Sequence, residues 1–479
     1  SKTYWNSEEH ALYFHPQSGS LSLNSLFDPR DGDGLDGVSL SSDLLINGST
    51  SSDSANLGFK RTGCDDEDDT DLCFTGKLTI NFGAGNDAFY SATLVDSDSV
   101  DLGSGDDTAY LMLSNIATAN LAKLDGGEGI DSLYFVESSN HNGELTLNTA
   151  GAVNFENLNG THGAETIKGD ANANVLGGLR GVDILYGYAG DDFLYAESVS
   201  SEPEGYFCES GMLMETDADI LYGGDGNDLL CGSNGENTLD GGAGTDTMTG
   251  GSGVDTFIIR TGDGSSNLDD ADTITDFKDG TDVIGLDNGL TFDDLSISQG
   301  TGSLANHTII SVSSSNEYLL VLQNITASNI TATSFASTST ADQTLTGTSA
   351  DDTFIGGSGN DTFTTGSGSD QIYAHAGNDS ITVNNKSGAF TDVIDGGAGT
   401  DSLTVSYTGV SSLADVTISQ DGDYRVLTDA NGGTVKFKSI ESLTVGSFTY
   451  VEDLGSEHQQ GSKTYWNSEE HALYFHPQS

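Results

Sequence analysis

The chain has 479 residues, of which 74 are acidic and 15 basic, for a formal net charge of −59. Nucleic acid and anionic membrane are thereby excluded as direct electrostatic partners, since both need a basic footprint, and multivalent cations become the natural counter-charge. Glycine, at 63 residues, is close to twice its ordinary share while proline is only 4, which excludes collagen-like and proline-rich classes.

Residues 1–76 read as an N-terminal β region. They open with SKTYWNSEEHALYFHPQS (1–18) and continue with DPRDGDGLDG (28–37), whose alternating acids suit an isolated calcium loop or a solvated turn. The loop lacks the downstream glutamate of an EF-hand. CDDEDDTDLC (64–73) reads as a solvated acidic tip closed by a disulfide. Four cysteines allow three pairings; proximity favours Cys64–Cys73 with Cys208–Cys231, in an oxidising compartment, against four unpaired buried thiols. Neither pair has the spacing or histidine partner of a zinc site.

Over 77–158, FGAGND (82–87), LGSGDD (102–107) and GGEGID (126–131) recur at spacings of 20 and 24, consistent with loose β-helical coils. From Gly160 the period tightens to nine: Gly160, Gly169, Gly178, Gly187, then Gly223, Gly232, Gly241 and Gly250, and again from Gly347 and Gly356. Twelve nonapeptides align. Their eighth residue is always apolar: Ile167, Leu176, Leu185, Leu194, Leu230, Leu239, Met248, Phe257, Phe354, Phe363, Ile372 and Ile381. Their sixth is Asp183, Asp192, Asp228, Asp246, Asp255, Asp352, Asp361, Asp370 or Asp379, or else Glu165, Asn174 or Asn237.

This pattern, G-G-x-G-x-D-x-U-x, with the stretch GGDGNDLLCGSNGENTLDGGAGTDTMTGGSGVDTF (223–257), resembles the RTX family, the hemolysin-type calcium-binding repeats. The resemblance implies an all-β chain of calcium-bound parallel β-roll or β-helix segments. Each nonapeptide is then a turn plus a short strand, two make one coil, and calcium lies between loops of successive coils. The residues support that reading: glycine lets the backbone turn its carbonyls inward, aspartate adds the hard oxygens Ca²⁺ requires, and the eighth residue stacks into a narrow apolar column. Asp87, Asp107 and Asp131 are expected to bind calcium in the looser coils.

The first roll, 159–257, is interrupted by an excursion over 196–216 and resumes in phase at Asp219, because DILYG (219–223) repeats DILYG (183–187). Residues 258–340 read as a β cap. DADTITDFKDGTDVIGLD (270–287) resembles the segment that closes such rolls, with Asp272, Asp276 and Asp282 completing the last calcium site; solvated loop acids are the alternative. The runs LSIS, TIISVS and EYLLVLQNIT read as antiparallel strands. A second roll occupies 341–405. Inserting four residues after Ala374 restores its frame at Asp392 and Asp401, with Ile394 and Leu403 in the apolar column. Residues 406–461 form a C-terminal β cap, with FKSIESLTV (437–445) echoing FENLNG (155–160).

Residues 462–479 copy 1–18 without a change, and the only two tryptophans, Trp5 and Trp466, lie in the copies. Three readings remain: a window of tandem units of about 461 residues, a subunit whose terminal segment completes the next molecule, or an artificial duplication. In the first two, Tyr4, Trp5, Tyr13, Phe14, Tyr465 and Trp466 belong to a junction, and contacts that do not close on themselves build filaments.

No H-E-x-x-H is present, His10 and His15 notwithstanding, and Gly366-Ser367-Gly368-Ser369 belongs to a repeat loop rather than a nucleophile elbow. The chain therefore reads as non-enzymatic. No run approaches the ~20 apolar residues of a membrane span, and none reads as a signal peptide. Without metal the aligned carboxylates repel and the thin apolar column cannot offset chain entropy, so the apo chain is expected to be disordered. Sites on the order of ten, each of extracellular-grade affinity, would make calcium a large part of the folding free energy. The resemblance implies export through a type I channel and folding outside the cell. The expected role is a unit of a bacterial surface fibre, surface layer or giant adhesin, with copies of itself and surface glycans as partners. An accessory roll of a secreted polysaccharide-modifying enzyme, or a glycan-binding module, is the alternative.

Overall fold

The computed structural model describes residues 4–6, 11–13, 19–22, 39–40, 44–48, 52–57, 73–74, 77–91, 98–112, 124–136, 142–147, 152–197, 208, 216–452, 465–467 and 472–474. The loop at 28–37, Cys64, Phe14 and nearly all of the 196–216 excursion lie outside them. Among the described residues the structure is nearly all β, and its helices are three-residue 3-10 turns. No helix there is long and apolar enough to cross a membrane, which leaves β-barrels unaddressed. Two compact units emerge: residues 1–256 with 270–277, and residues 257–269 with 278–479.

In the first unit, successive strands alternate between parallel sheets. One sheet runs through Ala88–Ser91, Thr108–Met112, Ser132–Val136, Asn157–Asn159, Val175–Gly177, Phe193–Tyr195, Leu229–Cys231, Thr247–Thr249 and Asp272–Ile274. The other runs through Glu144–Thr146, Thr166–Lys168, Ile184–Ala189, Ile220–Asp225 and Thr238–Ala243. The loose coils add a shorter sheet of Leu44–Asn47, Leu78–Asn81, Ser99–Asp101 and Leu124–Asp125.

Register follows the nine-residue frame. Leu158, Leu176, Leu194, Leu230, Met248 and Ile274 are partners in one sheet; Leu145, Ile167, Leu185, Leu221 and Leu239 are partners in the other. Every one of these side chains is buried. With side chains alternating across a strand, a three-residue strand sends only its middle residue inward, so the core is two stacked columns one residue wide. The coil re-enters in phase after the excursion: Ile184, Leu185 and Tyr186 pair with Ile220, Leu221 and Tyr222.

The second unit repeats the plan. Thr344–Thr346, Thr362–Thr364, Ser380–Val383, Ser402–Val405 and Ser442–Val445 form one parallel series. Thr353–Ile355, Gln371–Tyr373, Thr391–Asp395 and Thr434–Lys438 form the other. The four-residue insertion is absorbed without loss of register, since Ile372 pairs with Ile394 and Ile381 with Leu403. Phe363, Ile372, Ile381, Ile394 and Leu403 are buried in one apolar cluster, against which Phe354 is partly buried. Antiparallel strands also occur in this unit: Leu295–Gln299, Thr308–Val312 and Glu317–Leu322 pair with one another, and Val416–Asp421 and Tyr424–Asp429 extend the roll's sheet from Thr434–Lys438.

The duplicated segments adopt one backbone pairing twice. Tyr4 pairs with Tyr13 and Trp5 with Leu12; Tyr465 pairs with Tyr474 and Trp466 with Leu473. The second hairpin also extends a sheet, with Tyr465 and Trp466 parallel to Val451 and Glu452 of Phe448–Glu452.

Candidate metal-binding loops

Each short strand is preceded by the sixth residue of its loop, and these residues form ladders. The backbone N–H of Asp192 donates to Asp228 Oδ1 at 2.7 Å, and that of Asp228 to Asp246 Oδ1 at 2.8 Å. Upstream, Asn174 donates to Asp192, and downstream, Asp246 donates to Asp272. The other edge runs Glu165 to Asp183, Asp183 to Asp219, Asp219 to Asn237, and Asn237 to Asp255. The loose coils join the same system, Asp87 donating to Asp107 and Asp107 to Asp131. In the second unit, Asp352, Asp370 and Asp392 form one ladder, and Asp361, Asp379 and Asp401 the other.

Two terminal rungs escaped the sequence reading. Asp131 N–H donates to Glu156 Oε2, and Asp401 N–H to Glu441 Oε2, both at 2.7 Å. The signal was present: Glu156-Asn157-Leu158 and Glu441-Ser442-Leu443 keep the acid-x-apolar spacing of D-x-U, with glutamate in place of aspartate.

The ladder uses one oxygen of each carboxylate. The other, Oδ2, is buried and lacks a hydrogen-bond partner in Asp107, Asp131, Asp183, Asp192, Asp228, Asp379, Asp392 and Asp401. It turns back over the glycine that opens its own loop: a Cβ on Gly187 would lie 2.3 Å from Asp192 Oδ2, and one on Gly223 2.3 Å from Asp228 Oδ2. Loops also stack directly on one another. Gly242 has φ +95°, and a Cβ there would lie 2.1 Å from the carbonyl oxygen of Gly224 one coil earlier.

Burying these carboxylates raises their pKa values. Desolvation, reinforced by the neighbouring Glu165, Asp219 and Asp217, pushes Asp183 up to about 8. Asp131, Asp192 and Asp219 rise to about 7, again by burial first and adjacent acids second. Asp228, Asp379 and Asp401 rise to about 6 for the same reasons. A row of buried anions held by backbone amides, with a second oxygen unsatisfied, is a strong demand for cations. Among the described residues no three His, Cys, Asp or Glu side chains converge on one point. An ion here would therefore take one or two carboxylates and complete its shell with loop carbonyls, a donor set that suits hard Ca²⁺.

Other predicted residues sit differently. Both carboxylate oxygens of Asp276 accept backbone amides, from Gly250 and Gly251. Asp282 is buried and accepts from Lys278 N–H. Asp352 is turned onto its own loop, accepting from the backbone and hydroxyl of Thr348, and Asp361 Oδ2 accepts from Gly357 N–H. Asp255 is buried in register with its ladder. Between Asp370 and Asp392 lies the ammonium of Lys386. Cys208 and Cys231 form a disulfide with Cα atoms 5.4 Å apart.

The family model of the RTX calcium-binding nonapeptide repeat (4 copies) matches residues 159–198, 215–239, 222–257, 346–381 and 387–405. No curated protein matches the chain. Among solved structures, it is similar to the AlgE6R3 subunit of the Azotobacter vinelandii mannuronan C5-epimerase, at 23% identity over 36% of this chain and 77% of that one, with TM-score 0.16. It is also similar to the extracellular lipase LipA from Serratia marcescens, at 14% identity over 62% of this chain and 40% of the lipase, with TM-score 0.21.

Proposed function

Because this chain carries RTX calcium-binding nonapeptide repeats, we propose that it is a non-enzymatic, calcium-folded structural protein that works outside the cell as a repeating unit of a bacterial surface fibre, surface layer or large adhesin. The observation that carries the calcium part is the set of buried carboxylates whose Oδ2 lacks a partner, ordered along both edges of each roll. Asp107, Asp131, Asp183, Asp192, Asp219, Asp228, Asp379 and Asp401 would hold the ions, with Asp87, Asp246, Asp255 and Asp272 extending the same ladders. Calcium supplies the counter-charge; the chain supplies pre-aligned loops whose glycines let carbonyls and carboxylates approach it. Folding would then wait for the calcium concentration found outside cells, as suits a chain exported unfolded.

The end-to-end part rests on the duplicated hairpin. Strand addition to an open sheet edge is a common way for one chain to join another. The second copy lies in that relation to Phe448–Glu452, while among the described residues the first copy forms a sheet of its own. A tandem or exchanging junction would use the same segment at every joint. Electron microscopy of the purified protein, first with millimolar calcium and then with chelator, tests the proposal. Ordered end-to-end filaments that expand or disperse in chelator are expected. Monodisperse particles of calcium-indifferent shape would overturn it.

A further inference from the structure

One rung departs from the rest. Between the loops ending at Asp370 and Asp392, the Lys386 ammonium lies 2.5 Å from Asp370 Oδ2, 2.9 Å from Asp392 Oδ1 and 3.0 Å from the carbonyl oxygen of Gly368. The side chains of all three charged residues are fully buried. Gly368 and Asp370 are the fourth and sixth residues of their loop, so the ammonium has gathered the kind of donors a calcium ion would need there: a loop carbonyl, the free oxygen of one aspartate and the ladder oxygen of the next. The same nitrogen sits 5.1 Å from the centre of the Phe390 ring, which closes the site on the apolar side.

Lysine reaches this place because the coil is longer. Asp370 and Asp392 are 22 residues apart where an undisturbed coil has 18, as between Asp352 and Asp370. The stretch NNKSG (384–388), in the part of the coil that holds the four extra residues, carries Lys386. A weaker form of the device occurs elsewhere: at Asn237 the side-chain amide Nδ2 donates to the carbonyl of Gly232 at 3.0 Å, and at Asn174 it donates to the carbonyl of Glu156 at 3.1 Å. There too a nitrogen donor stands where other rungs carry an unsatisfied carboxylate oxygen.

We propose that Lys386 is a built-in replacement for calcium, so that the Asp370–Asp392 rung binds no metal and stays assembled without it. The inference rests on the calcium reading of the other rungs. Two ions cannot share the space: a dication beside a buried ammonium would meet like-charge repulsion and lose the same oxygens. The second roll would thus hold one calcium-independent step from which its neighbours can be ordered as calcium arrives.

The test compares the full chain with Lys386→Met by native mass spectrometry in saturating calcium, with circular dichroism confirming the fold of each. The variant is expected to bind one more ion than the wild type and to require more calcium for half-maximal folding. A folded variant with the same or a smaller ion count would overturn the proposal. A second measurement does not depend on the variant: a calcium anomalous map from crystals of the wild type. Peaks at the Asp192–Asp228 rung with none between Asp370 and Asp392 are expected. A peak bridging Asp370 and Asp392 would overturn the assignment alone, whereas a map with no peak at any rung would overturn the calcium reading and this assignment with it.

Discussion

The amide of Asp183 donates to the carboxylate of Asp219 at 2.8 Å, across 36 residues of chain. Its neighbours in the ladder, Glu165 with Asp183 and Asp219 with Asn237, span 18. The same bond thus forms whether or not an excursion intervenes, so the rung is set by contact between coils and not by the length of chain between them. Solenoid stability is a sum of such nearest-neighbour terms, which directs where each prediction should be made.

Protons should partly replace calcium. Asp183, Asp131, Asp192 and Asp219 have folded-state pKa values raised to between about 7 and about 8 from an ordinary 3.8, chiefly by burial. A raised carboxylate pKa favours the fold below the unfolded value and loses that contribution as pH climbs through the folded one. In chelator, therefore, lowering the pH from 8.5 toward 5 should increase β content and compactness, read by circular dichroism and small-angle scattering. Carboxylates held low, such as Glu144 beside Lys168 and Asp421 beside Lys436, act in the opposite direction only below about pH 4. Order that falls steadily over the interval would contradict this account. In calcium the dependence should reverse, with more metal needed at lower pH.

Charge and hydrogen bonding at one rung can be separated with Asp228. Replacing it by alanine removes the acceptor of the Asp192 amide as well as the charge. The loss should be about 1–3 kcal/mol, with or without metal, because a buried N–H is left unsatisfied. Asp228→Asn keeps an oxygen for that amide. It should be no less stable than wild type in chelator at pH 8, yet need on the order of tenfold more calcium to fold, since a charged ligand is gone. Calcium titrations of both variants and the wild type, followed by circular dichroism, decide the matter: an Asp228→Asn curve identical to wild type would show that the carboxylate charge has no part, and identical behaviour of the two variants would show that the hydrogen bond to Asp192 has none.

Glycine placement gives a paired prediction in opposite directions. Gly242→Ala should cost more than about 2 kcal/mol, since φ is +95° and the new methyl would lie 2.1 Å from Gly224 O. Leu179 occupies the equivalent second position of its loop with φ +81°. Leu179→Gly should gain about 1 kcal/mol by releasing left-handed strain. Melting temperatures in saturating calcium read both; a neutral Gly242→Ala would mean that the loops stack less closely than described.

Much of this fold is legible because its pattern is local and repeated. Glycine at the first and fourth positions, acid at the sixth and an apolar residue at the eighth each satisfy a requirement inside nine residues, and the copies reinforce one another. Even the two frame breaks could be placed, since Asp219 and Asp392 restart the same motif. The terminal rungs at Glu156 and Glu441 were hidden by a change of acid, although the acid-x-apolar spacing persisted.

Composition and period by themselves determined the coil, the apolar columns and which aspartates turn inward, because a stacked repeat needs only its neighbour to complete it. Tertiary structure alone decided that in aspartates such as Asp183, Asp192 and Asp228 one carboxylate oxygen bonds the adjacent coil while the other stays unsatisfied, and that Lys386 enters a rung. A residue in a non-periodic insertion has no register of its own. Its destination depends on how a longer coil closes over the charges beneath it, and the attraction of two buried aspartates draws the lysine in.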